Sequence, residues 1–245
     1  MSVLSLEGMP VSVSADFDVS FVDIDGGQRR DPLSSCWMVP FERVLPVRAF
    51  SSYKGMKNFS GLWWFSTTAD HVGYESWLER DRVMALDFDP DVVGLSSQPF
   101  TLSWERNGED WSHTPDYFAR LRDGTGVVID VRSGDQVVKS EDAETAHACK
   151  SVGWEFRRVG AVKTVRAANL RWLAGYRHPR CMDIERADSL RVVFAEPLPL
   201  LGGARTLGDP IAVLPTLYHL LWTQVLVTDL DSAPLSASSV VEVSG

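Results

Sequence analysis

The stretch from His113 to Arg132 restricts the fold most. In it, His113-Thr-Pro-Asp116-Tyr-Phe118 and Val127-Val-Ile-Asp130-Val-Arg132 flank the turn Asp123-Gly-Thr-Gly126. Two short runs rich in apolar and β-branched residues around an Asp-Gly turn specify a β-hairpin, because glycine tolerates the positive φ that tight turns demand. Strand pairing then sets two carboxylates on neighbouring strands. Asp116 opens the first strand behind a proline. Asp130 interrupts an apolar run, where an ionised group is costly unless something compensates it. A hydrogen-bond network is the ordinary compensation for one aspartate; a divalent cation is the compensation that two converging aspartates suggest.

With 245 residues, 44% of them hydrophobic, the chain can bury one good core and a small second one. No apolar run approaches the roughly 18 to 20 residues needed to cross a bilayer. The start, Met1-Ser-Val-Leu-Ser-Leu-Glu7, lacks the basic and apolar regions of a signal peptide. Cys36, Cys149 and Cys181 form no C-x-x-C pair, which speaks against a zinc ribbon or a disulfide framework. These features predict a cytoplasmic protein.

The net charge of −9 argues against bulk electrostatic attachment to nucleic acid, but charge is segregated along the chain. Lys150 to Met182 carries +7, from Lys150, Arg157, Arg158, Lys163, Arg166, Arg171, Arg177 and Arg180 against Glu155. This run predicts a phosphate-facing wall, with a solvated helix face as the plain alternative.

Taken in order, residues 1–60 read as a β-rich accessory region. Asp16-Phe-Asp-Val-Ser-Phe21 alternates as a half-buried strand, and the spacing of Asp16, Asp18, Asp23 and Asp25 does not match an EF-hand loop. The stretch from Cys36 to Tyr53 reads as irregular. Residues 61–182 read as the core: an aromatic strand at Gly61–Ser66, a helix from Tyr74 to Leu86 with Glu75 and Glu79 on one side, and strands at Val92–Leu95 and Phe100–Trp104. The carboxylate hairpin follows, then a helix over 141–152, a strand over 154–159 and a helix over 165–176. That order predicts an α/β fold with a mixed sheet flanked by helices on both faces. In 183–245, Asp209-Pro210 starts a helix with an apolar stripe to Trp222, and strands at 225–229 and 240–243 complete a small winged-helix-like unit. Residues 187–245 carry −4, so this unit predicts protein docking rather than phosphate binding.

An acidic helix, then Pro115-Asp116, then Asp130-x-Arg132 resembles the PD-(D/E)xK nuclease core. Within that superfamily the chain resembles the TnsA-like endonuclease subunit of heteromeric transposases. The resemblance rests on Glu75-Ser-Trp-Leu-Glu79-Arg-Asp, Leu86-Asp-Phe-Asp-Pro90, Gln98-Pro-Phe, His113-Thr-Pro-Asp116-Tyr-Phe, Val128-Ile-Asp130-Val-Arg132, Val152-Gly-Trp-Glu and Asn169-Leu-Arg-Trp-Leu. It covers roughly residues 60–180, and the order of the motifs carries it more than any one of them. It implies a restriction-endonuclease-like fold and a Mg²⁺-dependent DNA endonuclease, with Mn²⁺ able to substitute, that nicks transposon 5′ ends. It also implies a DDE-type recombinase partner and an AAA+ ATPase regulator. By the family's spacing to the Gln-Pro element, the helix ligand is Glu79, 19 residues before Gln98, rather than Glu75. The implied metal ligands are Glu79, Asp116 and Asp130.

Where the family has lysine this chain has Arg132, which stays charged and cannot act as a base, yet can anchor a phosphate or orient hydroxide. Two alternatives stand beside the active nicking subunit: a catalytically silent DNA-binding and assembly subunit, and a self-sufficient restriction or repair nuclease. Lys139 is a further candidate cation, and His113 reads as a turn histidine able to touch substrate.

Overall fold

A computed structural model describes residues 16–48, 59–134 and 140–245; Lys139 lies outside them. The described chain is mixed α/β, with seven α-helices and several separate sheets. It divides into two compact units, one of residues 1–83 with 91–161, the other of 84–90 with 162–245. The boundaries differ from the expected 1–60, 61–182 and 183–245 for reasons visible in the pairing.

The first unit starts with β1 (Asp18–Val22), β2 (Gln28–Pro32) and the short α1 (Leu33–Cys36). A hairpin of β3 (Gly61–Phe65) and β4 (Asp70–Tyr74) leads into α2 (Trp77–Asp87), followed by β5 (Val92–Ser97) and the hairpin β6 (Thr101–Arg106) and β7 (Glu109–His113). Then come β8 (Tyr117–Leu121), β9 (Gly126–Val131), α3 (Ser140–Ser151) and β10 (Glu155–Val159). One sheet has the order β2-β1-β6-β7, and a second the order β10-β9-β8-β5. The second is mixed, because β10 runs parallel to β9 while β8 pairs antiparallel to both β5 and β9.

The N-terminal strands are therefore not an accessory region. β1 pairs with β6, and Phe17, Val19, Phe21, Phe41, Phe100, Leu102, Phe118, Val128, Cys149 and Trp154 share one buried core. Each such side chain contributes about 1.5–3 kcal/mol on burial. Gly126 starts β9 beneath Phe118 and Trp154, where a Cβ would come within 2.7 Å and 2.8 Å of their rings.

Two further expectations are corrected. The helix expected over Tyr74–Leu86 starts only at Trp77, because residues 70–74 pair with β3; Glu75 precedes the helix and pairs with Arg48 at 2.8 Å. His113 belongs to β7, paired with Leu102 in the first sheet, whereas Tyr117 opens β8 in the second. Residues 114–116 thus cross from one sheet to the other, and the motif from His113 to Phe118 is not one strand.

The second unit holds α4 (Thr164–Ala174), α5 (Ile184–Val193), β11 (Leu198–Pro199), α6 (Leu200–Thr206), α7 (Pro210–Trp222), β12 (Leu226–Val227) and β13 (Val240–Val243). Its small sheet has the antiparallel order β11-β13-β12. Asp209 caps α7 by accepting from the Ile211 N–H at 3.0 Å, with Pro210 in the first turn. Leu170, Leu173, Leu190, Phe194, Leu217 and Leu220 are buried around it. Asn169 ties α4 to the loop between β12 and β13: its amide donates to the carbonyls of Leu230 and Ala233, each at 2.9 Å, and its carbonyl accepts from Leu235 N–H at 2.7 Å. α4 packs on α7, and this is why it groups with the C-terminal unit. No described helix is long and apolar enough to cross a membrane.

Candidate active site

The antiparallel register of β8 and β9 sets Tyr117 opposite Ile129. One residue further, the Asp116 N–H donates to Asp130 Oδ1 at 3.4 Å. Asp116 stands where the chain arrives from the other sheet, and its Oδ2 accepts from the Val131 N–H at 2.7 Å and from Arg132 Nη1 at 3.2 Å. Asp130 is fully buried; Arg132 Nη2 lies 3.3 Å from its Oδ2 and His113 Nε2 only 2.8 Å. The imidazole contact is an ion pair when His113 is protonated. The two sheets thus each supply part of the site: β7 brings His113, and the hairpin of β8 and β9 brings the acids and Arg132.

The electrostatics follow from burial. Asp116 is pushed up to about 7, first by desolvation and then by the charge of Asp130, against the opposing Val131 N–H and Arg132; Glu79 adds to the rise. Burial alone would lower His113, but its contact with Asp130 leaves it raised. Burial, followed by the Asp130 charge, also raises the Cys149 thiol, so this buried cysteine is inert rather than nucleophilic.

Glu79 reaches the same neighbourhood by a different route. Ser76, immediately before α2, donates its hydroxyl to Glu79 Oε1 at 2.8 Å and accepts from the Glu79 N–H at 3.2 Å. Glu79 Oε2 accepts from the Glu75 N–H at 2.8 Å and lies 3.4 Å from the Tyr117 hydroxyl. This is close to a capping box, whose sequence signature is Ser76-x-x-Glu79, with the Glu79 carboxylate reaching the N–H of Glu75 in place of that of Ser76. The signal was present in the sequence and gives Glu79 a second occupation, holding the start of its own helix. The structure joins Asp116, Asp130 and Arg132 directly, while Glu79 is linked to them through Tyr117 and its field on Asp116.

The chemistry of the pair fits a hard cation: two carboxylates, one fully buried, with a proton held on the other near neutrality by desolvation and the charge of its neighbour. Among the described residues, no three His, Cys, Asp or Glu side chains are grouped so that they could hold a metal ion by themselves. Asp116 and Asp130 are the part of the expected trio that is assembled.

Part of the basic run lies in each unit, and several of its charges are locally paired: Arg157 with Glu155, Arg158 with Asp142, Arg166 with Asp231 and Arg177 with Asp87. Arg158 also sits opposite Asp130 in the parallel register. Lys150, Lys163 and Arg180 are exposed.

No model of a known protein family matches the sequence, and no curated protein matches it.

Proposed function

We propose that this chain is a metal-dependent DNA endonuclease subunit of a heteromeric transposase, hydrolysing one phosphodiester at the transposon's 5′ ends. The observation that carries the reading is the Asp116–Asp130 pair bridged by Arg132, Asp130 fully buried and Asp116 partly so, an acid pair costly to keep unless it serves a charged ligand. On this reading β5 and β8–β10 with α2 and α3 form a restriction-endonuclease-like core. The order β11, α6, α7, β12, β13 supports a winged-helix-like C-terminal unit. Transposon ends, a DDE-type recombinase and an AAA+ regulator come from the motif resemblance alone.

Asp116 and Asp130 would hold Mg²⁺ or Mn²⁺, with Glu79 as the third carboxylate released from its cap. When bound, such a cation polarises the phosphate and acidifies an attacking water. Arg132 spans both carboxylates as a planar fork and is part-exposed, so it can turn donors to a non-bridging phosphate oxygen without losing charge. His113 keeps Asp130 in place from the other strand. Without a cation Asp116 keeps its proton up to near neutrality, so taking up the ion there would release that proton.

The second reading, a silent assembly subunit, draws on Arg132 already engaging both carboxylates and on Glu79 already engaged as a cap. Strand nicking of transposon-end DNA with Mg²⁺ and the partner proteins separates the two. The nuclease reading predicts nicks by wild type and at least about 100-fold fewer by Asp116→Ala. Transposition complexes that assemble but are equally uncut by both would establish the silent reading.

A further inference from the structure

Gln98 follows β5 directly and stands in an uncomfortable place. Its φ is +46°, a left-handed value that a long side chain rarely adopts, and Pro99 comes next, a neighbour that favours extended backbone. Two backbone hydrogen bonds hold it there: the Gln98 N–H donates to the Asp116 carbonyl at 2.8 Å, and its own carbonyl accepts from Val47 N–H at 3.0 Å. The first is the next rung after Ser97 opposite Tyr117, so Gln98 lies across from Asp116. The side chain is only 4% exposed, yet its Oε1 has no hydrogen-bond partner. A buried amide carbonyl left unpaired costs stability, as does the strained backbone. Both costs fall on one residue beside the carboxylate pair.

We propose that Gln98 is a further ligand of the cation site, its side-chain carbonyl adding a neutral oxygen to those of Asp116 and Asp130; the inference rests on the proposed metal-dependent reading. Small divalent cations take one or two carboxylates together with carbonyl and water oxygens, so an amide is a chemically suitable third donor. It supplies an oxygen without adding a third charge to a pair already short of compensation. Such a donor stands outside the acids, histidines and cysteines, which among the described residues form no group of three able to hold a metal ion. The left-handed backbone is then the conformation that binding selects.

The test is calorimetric titration of the full chain with Mn²⁺ alone, alongside its melting temperature without metal. Gln98→Gly removes the amide and relieves the backbone strain together. It is expected to melt at or above the wild-type temperature while binding Mn²⁺ about tenfold more weakly. Gln98→Glu, which keeps an oxygen at the same reach, is expected to bind at least as tightly as wild type. A residue serving the fold alone would change melting and leave Mn²⁺ affinity untouched. Unchanged affinity in Gln98→Gly, with binding lost in Asp130→Asn, overturns the role of Gln98 and spares the carboxylate site. No Mn²⁺ binding by folded wild type overturns both.

Discussion

Asp116 carries the most informative charge in the molecule. Its carboxyl moves from an ordinary value of 3.8 to about 7 on folding, so between those values the folded chain binds more protons than the unfolded chain. Stability is therefore greatest below about pH 4 as far as this group is concerned, and is lost as pH rises towards 7. Asp116→Asn mimics the protonated acid and keeps an acceptor for the Val131 N–H. Its melting temperature is expected to draw ahead of wild type from pH 4 to 7 and to keep a constant lead above that; parallel curves over the whole range would contradict the shift. Asp116 and Asp130 were legible in the sequence because an Asp inside an apolar run and a Pro-Asp at a strand start are local signals. Gln98 was legible only as part of a motif, since neither its left-handed φ nor its unpaired carbonyl leaves a trace in residue identity.

Among the elements, the start of α2 couples stability to the site. Ser76 both accepts from Glu79 and donates to it, so Ser76→Ala is expected to cost about 1 kcal/mol in chemical denaturation. A cost near zero would show that the cap does not hold this helix. The same change frees Glu79 Oε1. Helix α2 was read too long because the apolar spacing at Tyr74 also suits the second strand of a hairpin, and pairing with β3 took it. Strand β7 was missed although Asn107-Gly108, with φ of +55° and +79°, is a strong two-residue hairpin signal. In the C-terminal unit, Asn169→Ala removes three hydrogen bonds, one buried and two part-buried, and is expected to destabilise that unit by about 2 kcal/mol; an unchanged denaturation midpoint would mean that its loop is held elsewhere.

At the scale of the whole chain, the sequence spoke clearly about fold class and poorly about boundaries. The pairing of β1 with β6 joins residues more than 80 positions apart, a choice made by shared burial and not by any local pattern. Likewise α4 groups with the C-terminal unit through its contact with α7, which spacing within α4 cannot reveal. Segregated charge was visible in the sequence, but its neutralisation by Glu155, Asp142, Asp231 and Asp87 needed the fold. The central claim is that Asp116 and Asp130 act together on one divalent cation, and the stoichiometry of Mn²⁺ binding at equilibrium tests it most directly. One ion per wild-type chain, lost in folded Asp116→Ala and in folded Asp130→Asn, is the expected result; an ion retained by either variant, or none taken up by wild type, would contradict it.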